Sequence, residues 1–294
     1  MPLSLQLCIS LISQSADENT LKELKKLSVT GRKKNHPLYK FRIPFLIIFF
    51  ITGCILPCNA KTHTTDFPFS PGEKLTFKLK WYFIPAGEAM LEVLPIENIG
   101  GIKAYHFVLI VKTNQLFDTI YKIRDRIDSY TDIGMTRSIL YKKRRAGLSH
   151  TRDVVVNFNW NINEAQYSNF GRKRKPVSLM PGSFDPLSIF YYSRIRNIKE
   201  KYFFQRPVTD GKKCVIGSGK VIKREIIELK SKQYDTYLLE PELKDLSGVF
   251  RKSKNATIKI WLTADKRKMP VRIKSKVIVG SFVAELVAAE GVVK

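Results

Sequence analysis

From Lys61 onward, apolar and polar side chains alternate with a period of two, the mark of strands with one buried and one wet face. Glu73–Phe83 places Leu75, Phe77, Leu79, Trp81 and Phe83 on one side, and Lys74, Thr76, Lys78, Lys80 and Tyr82 on the other. Pro85-Ala86-Gly87 predicts a break, Glu88–Leu94 a second strand and, past a turn at Asn98–Gly101, Ala104–Thr113 a third. The alternation returns in Ile123–Thr131, Ser138–Arg144 and Thr151–Trp160, with Glu164–Phe170 as a hairpin partner across Asn161–Asn163. Later strands are predicted at Tyr202–Pro207, Lys213–Ile216, Val221–Leu229, Tyr234–Glu240, Thr257–Thr263, Val271–Val279 and Phe282–Glu290. Turn residues part them at Asp210-Gly211, Gly217-Ser218-Gly219, Ala264-Asp265 and Gly280-Ser281.

One segment departs from this period. Asp185–Arg196 opens with Asp at an N-cap and Pro at the first helical position, sets Leu187, Phe190 and Tyr191 on one face, and ends with Arg194 and Arg196 in its last turns. One helix near 186–196 among so many strands excludes a parallel α/β fold. The expectation is a mainly β protein: a large curved antiparallel sheet, or open half-barrel, of about eleven to thirteen strands.

The first sixty residues read differently. Residues 41–60 carry a positive flank at Lys40 and Arg42, a wholly apolar run Phe45–Ile51 continuing to Leu56, and small residues in Cys58-Asn59-Ala60. That length suits a signal peptide better than a membrane-spanning helix, which needs about twenty residues. Within it, Ile51-Thr52-Gly53-Cys54 resembles a bacterial lipobox, in which Cys54 would be acylated and become the new N-terminus. Cleavage after Ala60 and acylation at Cys54 both remain open, as does an uncleaved anchor. Residues 1–39 are too long for the charged end of a signal peptide, and no methionine lies between Met1 and Met90. They read as a disordered extension, or as sequence ahead of a start at Leu27, Val29 or Leu38. The expected division is therefore 1–39 extension, 40–60 signal or anchor, and 61–294 a single β domain in the periplasm or cell envelope.

Charge adds a partner class. Residues 1–60 carry eight basic and three acidic side chains of the chain's 51 and 26, so the net charge of +25 belongs mostly to the β part. Such a field favours anionic partners. Two dense clusters, Lys142-Lys143-Arg144-Arg145 and Arg172-Lys173-Arg174-Lys175, stand beside Tyr141 and Phe170. In an exported protein they would face phospholipid or lipopolysaccharide rather than nucleic acid, although basic grooves with aromatics can also hold single strands.

Catalytic patterns are few. The β part offers His63, His106 and His150, and neither a H-E-x-x-H nor a G-x-S-x-G motif occurs. Asp125, Asp128 and Asp132 lie in one stretch but alternate with Arg124 and Arg126, so cross-strand ion pairs are the expected use. Of four cysteines, only Cys214 lies in the β part, which excludes an internal disulfide there. No cofactor, no metal and no enzyme activity are expected.

Several phrases carry a resemblance. They are Phe69-Ser70-Pro71-Gly72-Glu73-Lys74-Leu75 with Trp81 and Ala86-Gly87-Glu88-Ala89, then Asp185-Pro186-Leu187-Ser188 leading to Tyr191-Tyr192-Ser193-Arg194. Ile260-Trp261-Leu262-Thr263-Ala264-Asp265, Met269-Pro270-Val271 and Gly280–Leu286 complete the set. Over about residues 66–290 their order and spacing resemble the DUF3108 family, exported bacterial proteins of unknown function. The resemblance implies an export signal and a β domain, and brings no catalytic residues. More loosely, the hairpin from Trp261 to Ile273 resembles one in periplasmic lipoprotein carriers, half-barrels closed by helices over an apolar cavity. That likeness implies a lipid- or lipoprotein-binding module with Leu75, Phe77, Leu79, Trp81 and Phe83 lining the ligand. The alternatives are an envelope scaffold or assembly factor that binds protein or glycan, with a packed core, and a glycan hydrolase with two carboxylates in a cleft.

Overall fold

The structure, a computed structural model, describes residues 67–119, 121–147, 151–242, 256–277 and 280–294. The extension 1–39, the segment 40–60 with Cys54, and His63 and His150 lie outside the described residues. Among the described residues fifteen strands form one antiparallel sheet. In chain order the first eight are β1 (Lys74–Trp81), β2 (Ile84–Ile99), β3 (Ile102–Thr113), β4 (Ile123–Asp132), β5 (Ser138–Gly147), β6 (Arg152–Asn159), β7 (Glu164–Asn169) and β8 (Arg172–Lys173). The others are β9 (Val177–Ser178), β10 (Phe203–Thr209), β11 (Cys214–Leu229), β12 (Lys232–Pro241), β13 (Thr257–Thr263), β14 (Pro270–Val277) and β15 (Gly280–Glu290). Among the described residues two helices accompany them, α1 (Gln115–Asp118) and α2 (Ser188–Ile195). The count exceeds the expected range because β8 and β9, two residues each, return along β7 and carry too little alternation to register in the sequence.

The sheet runs from β10 through β15 to β1, where β1 pairs Trp81 with Phe282, and on through β8. It curves around one core without closing into a barrel. Successive hairpins sort the turns onto two rims. The β1–β2, β3–β4, β5–β6, β7–β8, β10–β11 and β14–β15 connections share one, and the β2–β3, β4–β5, β6–β7, β11–β12 and β13–β14 turns share the other.

Helix α2 belongs to this second rim. The helix begins at Ser188, later than predicted, and Asp185-Pro186 form a capped turn leading into it: Asp185 Oδ1 accepts from Leu187 N (2.8 Å) and Ser188 N (3.0 Å), and Ile189 N donates to the Asp185 carbonyl. The same carboxylate accepts from the hydroxyls of Ser129 (2.7 Å), Ser138 (2.6 Å) and Ser188 (2.7 Å), so the cap also fastens the helix to β4 and β5. From the other end, Arg194 reaches Glu73 at the head of β1 and the carbonyls of Pro68 and Arg267. Between these anchors Tyr191 stacks on Phe107 at 3.9 Å and meets Phe69 edge-on at 5.1 Å.

Three expectations need correction. Phe83 does not share the face of Leu75, Phe77, Leu79 and Trp81: β1 ends at Trp81, Tyr82 takes φ +53°, and Phe83 stands in the two-residue turn 74% exposed. Pro85-Ala86-Gly87 is not a break but part of β2, which absorbs the irregularity as a bulge opposite Leu79 and Lys80. Gly217-Ser218-Gly219 is not a turn but the interior of β11. There the missing side chains admit cross-strand neighbours: a Cβ on Gly219 would lie 2.9 Å from the Phe204 ring, and one on Gly217 3.0 Å from Val208.

Candidate functional site

Alternation divides the first basic cluster between the two faces of the sheet. On β5, Tyr141, Lys143 and Arg145 share the concave face, where Lys143 pairs with Ile127 on one side and Val154 on the other, both buried in the core. Lys142 and Arg144 face outward, and Lys142 lies 5.8 Å above the ring of Tyr130. Arg145 is committed: its Nε and Nη2 donate to Asp125 at 2.7–3.0 Å in an almost fully enclosed pair. Lys143 has no such partner. Burial, reinforced by repulsion from Arg145, Lys212 and Arg152 and only partly opposed by Asp125, pulls its amine down to about 8.

The second cluster joins the first through Tyr167. Arg174 and Lys212 both lie 5.3 Å from its ring centroid. Lys212 arrives on the β10–β11 turn, whose Gly211 (φ +80°) presses so close to β6 that a Cβ would meet Val156 at 2.7 Å and Tyr167 at 3.1 Å. Burial and the proximity of Arg152 and Arg174 lower the Lys212 amine as well, against the pull of Asp210. Arg172, Lys173 and Lys175 lie on the exposed strip beyond β7. Sequence reasoning missed Arg152 and Lys212, which stand outside both clusters; the period-two register through Arg145 to Arg152 was the one signal for the former.

The same rim carries exposed apolar side chains at its turns: Tyr82 and Phe83 between β1 and β2, Leu116 on α1, and Phe170 between β7 and β8. Among the described residues, none of Lys122, Arg144, Arg152, Arg172, Lys173 and Lys212 makes an ion pair. Among the described residues the opposite rim also carries cations without an ion pair, Lys103, Lys230, Lys232 and Lys266, but its turns expose single isoleucines, Ile102, Ile133 and Ile162, and no aromatic side chain.

The remaining proposed ligand-lining residues lie inside the core. Leu75, Phe77, Leu79 and Trp81 are all but fully enclosed, at 0–3% exposure, in the same cluster as Phe69, Phe107 and the buried face of α2. A cleft of about 360 Å³ opens instead at the second rim, lined by Arg224, Lys232, Tyr234, Asp235, Asp265 and Arg267. Its two carboxylates are each held by an arginine: Arg224 Nε donates to Asp235 at 2.9 Å, and Arg267 Nε to Asp265 at 2.8 Å. Hydrogen bonds from Arg224 lower Asp235, and those from Arg267 and Thr263 outweigh the upward effect of burial on Asp265. Neither is suited to donate a proton at neutral pH, which a glycosidase acid must do.

The three aspartates of β4 are not brought together. Asp125 points inward to Arg145, whereas Asp132 caps the β4–β5 turn by accepting from Thr136 N and Arg137 N. Asp128 lies on the outer face, where His106 sits between it (2.9 Å from Nε2) and Glu97 (2.5 Å from Nδ1), stacked on Tyr130 at 4.2 Å. With a carboxylate on each ring nitrogen, His106 has no free lone pair to act as a base. Among the described residues no group of His, Cys, Asp and Glu is arranged to hold a metal.

Comparison with known proteins gives the following. The DUF3108 family, described as a protein of unknown function, matches residues 76–287. Among curated proteins there is no match. Among solved structures, a beta-barrel-like protein of domain of unknown function DUF1849 from Brucella abortus aligns over 77% of this chain and 99% of its own, with TM-score 0.50 and 9% identity. That is a likeness of fold. An inferred exported protein of Bacteroides fragilis aligns over 76% of this chain and 97% of its own, at 7% identity. An inferred lipoprotein of Parabacteroides distasonis gives the same two coverages at 10% identity. Their TM-scores of 0.30 and 0.25 are too low to define a common fold.

Proposed function

The chain belongs to the DUF3108 family of proteins of unknown function, and we propose that it is an exported, non-enzymatic envelope module that binds anionic lipid through one rim of its curved sheet. The observation that carries this reading is the meeting, on that rim, of unpaired cations with protruding Tyr82, Phe83, Leu116 and Phe170. Cations near an anionic surface contribute about 1 kcal/mol each, and aromatic side chains settle at the headgroup level. The apolar run at 45–56 supports export and would leave the mature chain in the envelope.

Phe83 serves this reading from the rim rather than from the concave face. An acyl chain laid along Leu75 to Trp81 would have to displace Phe69 and α2, so phospholipid or lipopolysaccharide is engaged at the surface. The packed interior favours a second reading, an envelope scaffold whose surface meets a protein or glycan.

The test is flotation of the full chain on phosphatidylcholine vesicles with and without phosphatidylglycerol. Arg172→Glu with Lys173→Glu should remove roughly 2 kcal/mol of the anionic-lipid part, about thirtyfold in affinity, and leave binding to pure phosphatidylcholine unchanged. Equal binding to both vesicles by parent and variant would refute the lipid reading and leave the scaffold.

A further inference from the structure

We propose that Lys143 and Arg152, on one face of β5 and β6, together with Arg174 and Lys212, which flank the neighbouring Tyr167 ring, form a site for a single phosphoryl group. The inference rests on the lipid reading only for the source of that group. A phosphate ester in a lipid headgroup and a free phosphate present the same chemistry to these four side chains.

The case begins with what this part of the sheet ought to contain. Position 143, between Ile127 and Val154 on a face that elsewhere holds Tyr141, Val156 and Tyr167, lies against the core, and Lys143 is half-buried there. A valine or leucine at 143 would pack there without cost, whereas a lysine must be desolvated. Three further cations crowd it. Arg152 is the cross-strand partner of Arg145, two residues along the same face, and Lys212 and Arg174 converge on Tyr167 from the β10–β11 turn and from the strip after β8.

The acids nearby do not balance them. Asp125 is saturated by Arg145, and Asp210 turns an oxygen to the backbone N–H of Lys212. Among the described residues, Asp125 and Asp210 therefore offset only part of the four positive charges, and an anion would complete the balance. The placement is built rather than accidental, since Lys212 reaches the face only because Gly211 lets the turn touch Val156 and Tyr167. Amines and guanidinium groups arranged around one point supply several charge-assisted hydrogen bonds, the recognition that phosphate oxygens accept.

Competitive acetylation of the full chain tests the site, read by peptide mass spectrometry at Lys143 and Lys212. The protein is held in phosphatidylcholine vesicles at constant ionic strength set with chloride, and inorganic phosphate is titrated in. Protection of both lysines, with Lys143→Met weakening the protection at Lys212 about tenfold through loss of one charged contact, establishes the site with free phosphate. Protection by phosphatidylglycerol vesicles but not by phosphate establishes it with a headgroup. Protection by neither overturns the proposal, even if Arg172→Glu with Lys173→Glu still reduces anionic-vesicle binding and so leaves the rim reading standing. Conversely, phosphate protection with vesicle binding indifferent to lipid charge keeps the site and removes the rim reading. Lys143→Met takes a charge out of a crowded face, so the variant is expected to fold.

Discussion

Replacing Glu73 with Gln isolates a charge at the centre of the helix-docking system. Arg194 is fully enclosed and Glu73 1% exposed, with Nη1 donating to Oε1 at 2.5 Å and Nη2 to Oε2 at 2.8 Å. The rest of the guanidinium is only partly served: Pro68 and Arg267 carbonyls accept at 3.1 Å, and Nε has no partner. Burial of Arg194 opposes its charge, and the carboxylate beside it more than restores it, holding the group above its usual value. Glu73→Gln keeps the shape and removes that counter-charge, leaving a cation in the core. Breaking such a pair costs about 3–5 kcal/mol, a large part of the 5–15 kcal/mol that roughly spans natural domains. Urea unfolding followed by tryptophan fluorescence measures it. The decisive comparison is Glu73→Gln with Arg194→Met added, which should recover about 2 kcal/mol or more because the orphaned charge goes with its partner. A single variant that loses under about 1 kcal/mol, or a double variant as unstable as the two losses added, would refute the claim that the pair acts as a unit.

Three other outcomes follow from the same structure. Lys143 holds its proton in the unfolded chain to the ordinary lysine value but releases it near 8 when folded, so stability should rise as pH climbs from about 8 towards 10; Lys143→Met should flatten that rise and add roughly 2 kcal/mol at neutral pH, read by urea melts across pH. Burial pushes Asp128 upward, but hydrogen bonds from His106 and Arg126 bring it to about 2, so its contribution of about 2 kcal/mol is present above pH 4 and lost as pH falls from about 4 to 2. Asp128→Asn should remove that part of the acid limb. Gly211→Ala sets a Cβ 2.7 Å from Val156 at φ +80°, which should cost about 1–3 kcal/mol in thermal unfolding and, by lifting Lys212 away, weaken any phosphate protection.

Much of the fold was legible because period two is a local property. Thr257–Thr263 coincides with β13 end to end, and the capped Asp-Pro turn that leads into α2 was readable from two residues, since such a cap needs nothing beyond its own turn. What failed was local chemistry overridden by neighbours. Gly217 and Gly219 carry turn composition, yet they are strand because Val208 and Phe204 fill the space above them. Pro85 sits in β2 at a bulge, which only the register against Lys80 reveals. Phe83 continued the apolar alternation by one residue past the point where Tyr82 turns the chain.

The candidate site shows the same limit more sharply. Alternation alone says that Lys142 and Arg144 oppose Lys143 and Arg145, but not which pair is inside; that is decided by Ile127 and Val154, each more than ten residues away. Arg152 and Lys212 stand apart from every basic run, and only a turn folded onto β6 brings the second of them to the first. Charge density in the sequence thus singles out a rim whose basic residues play different parts. Half of the Lys142–Arg145 cluster faces solvent, one member is consumed by Asp125, and the functional candidate is the single lysine that the register turns inward among apolar neighbours. A lysine retained where a valine would stabilise the sheet is the part of this protein least explained by folding, and so the part where binding is to be sought.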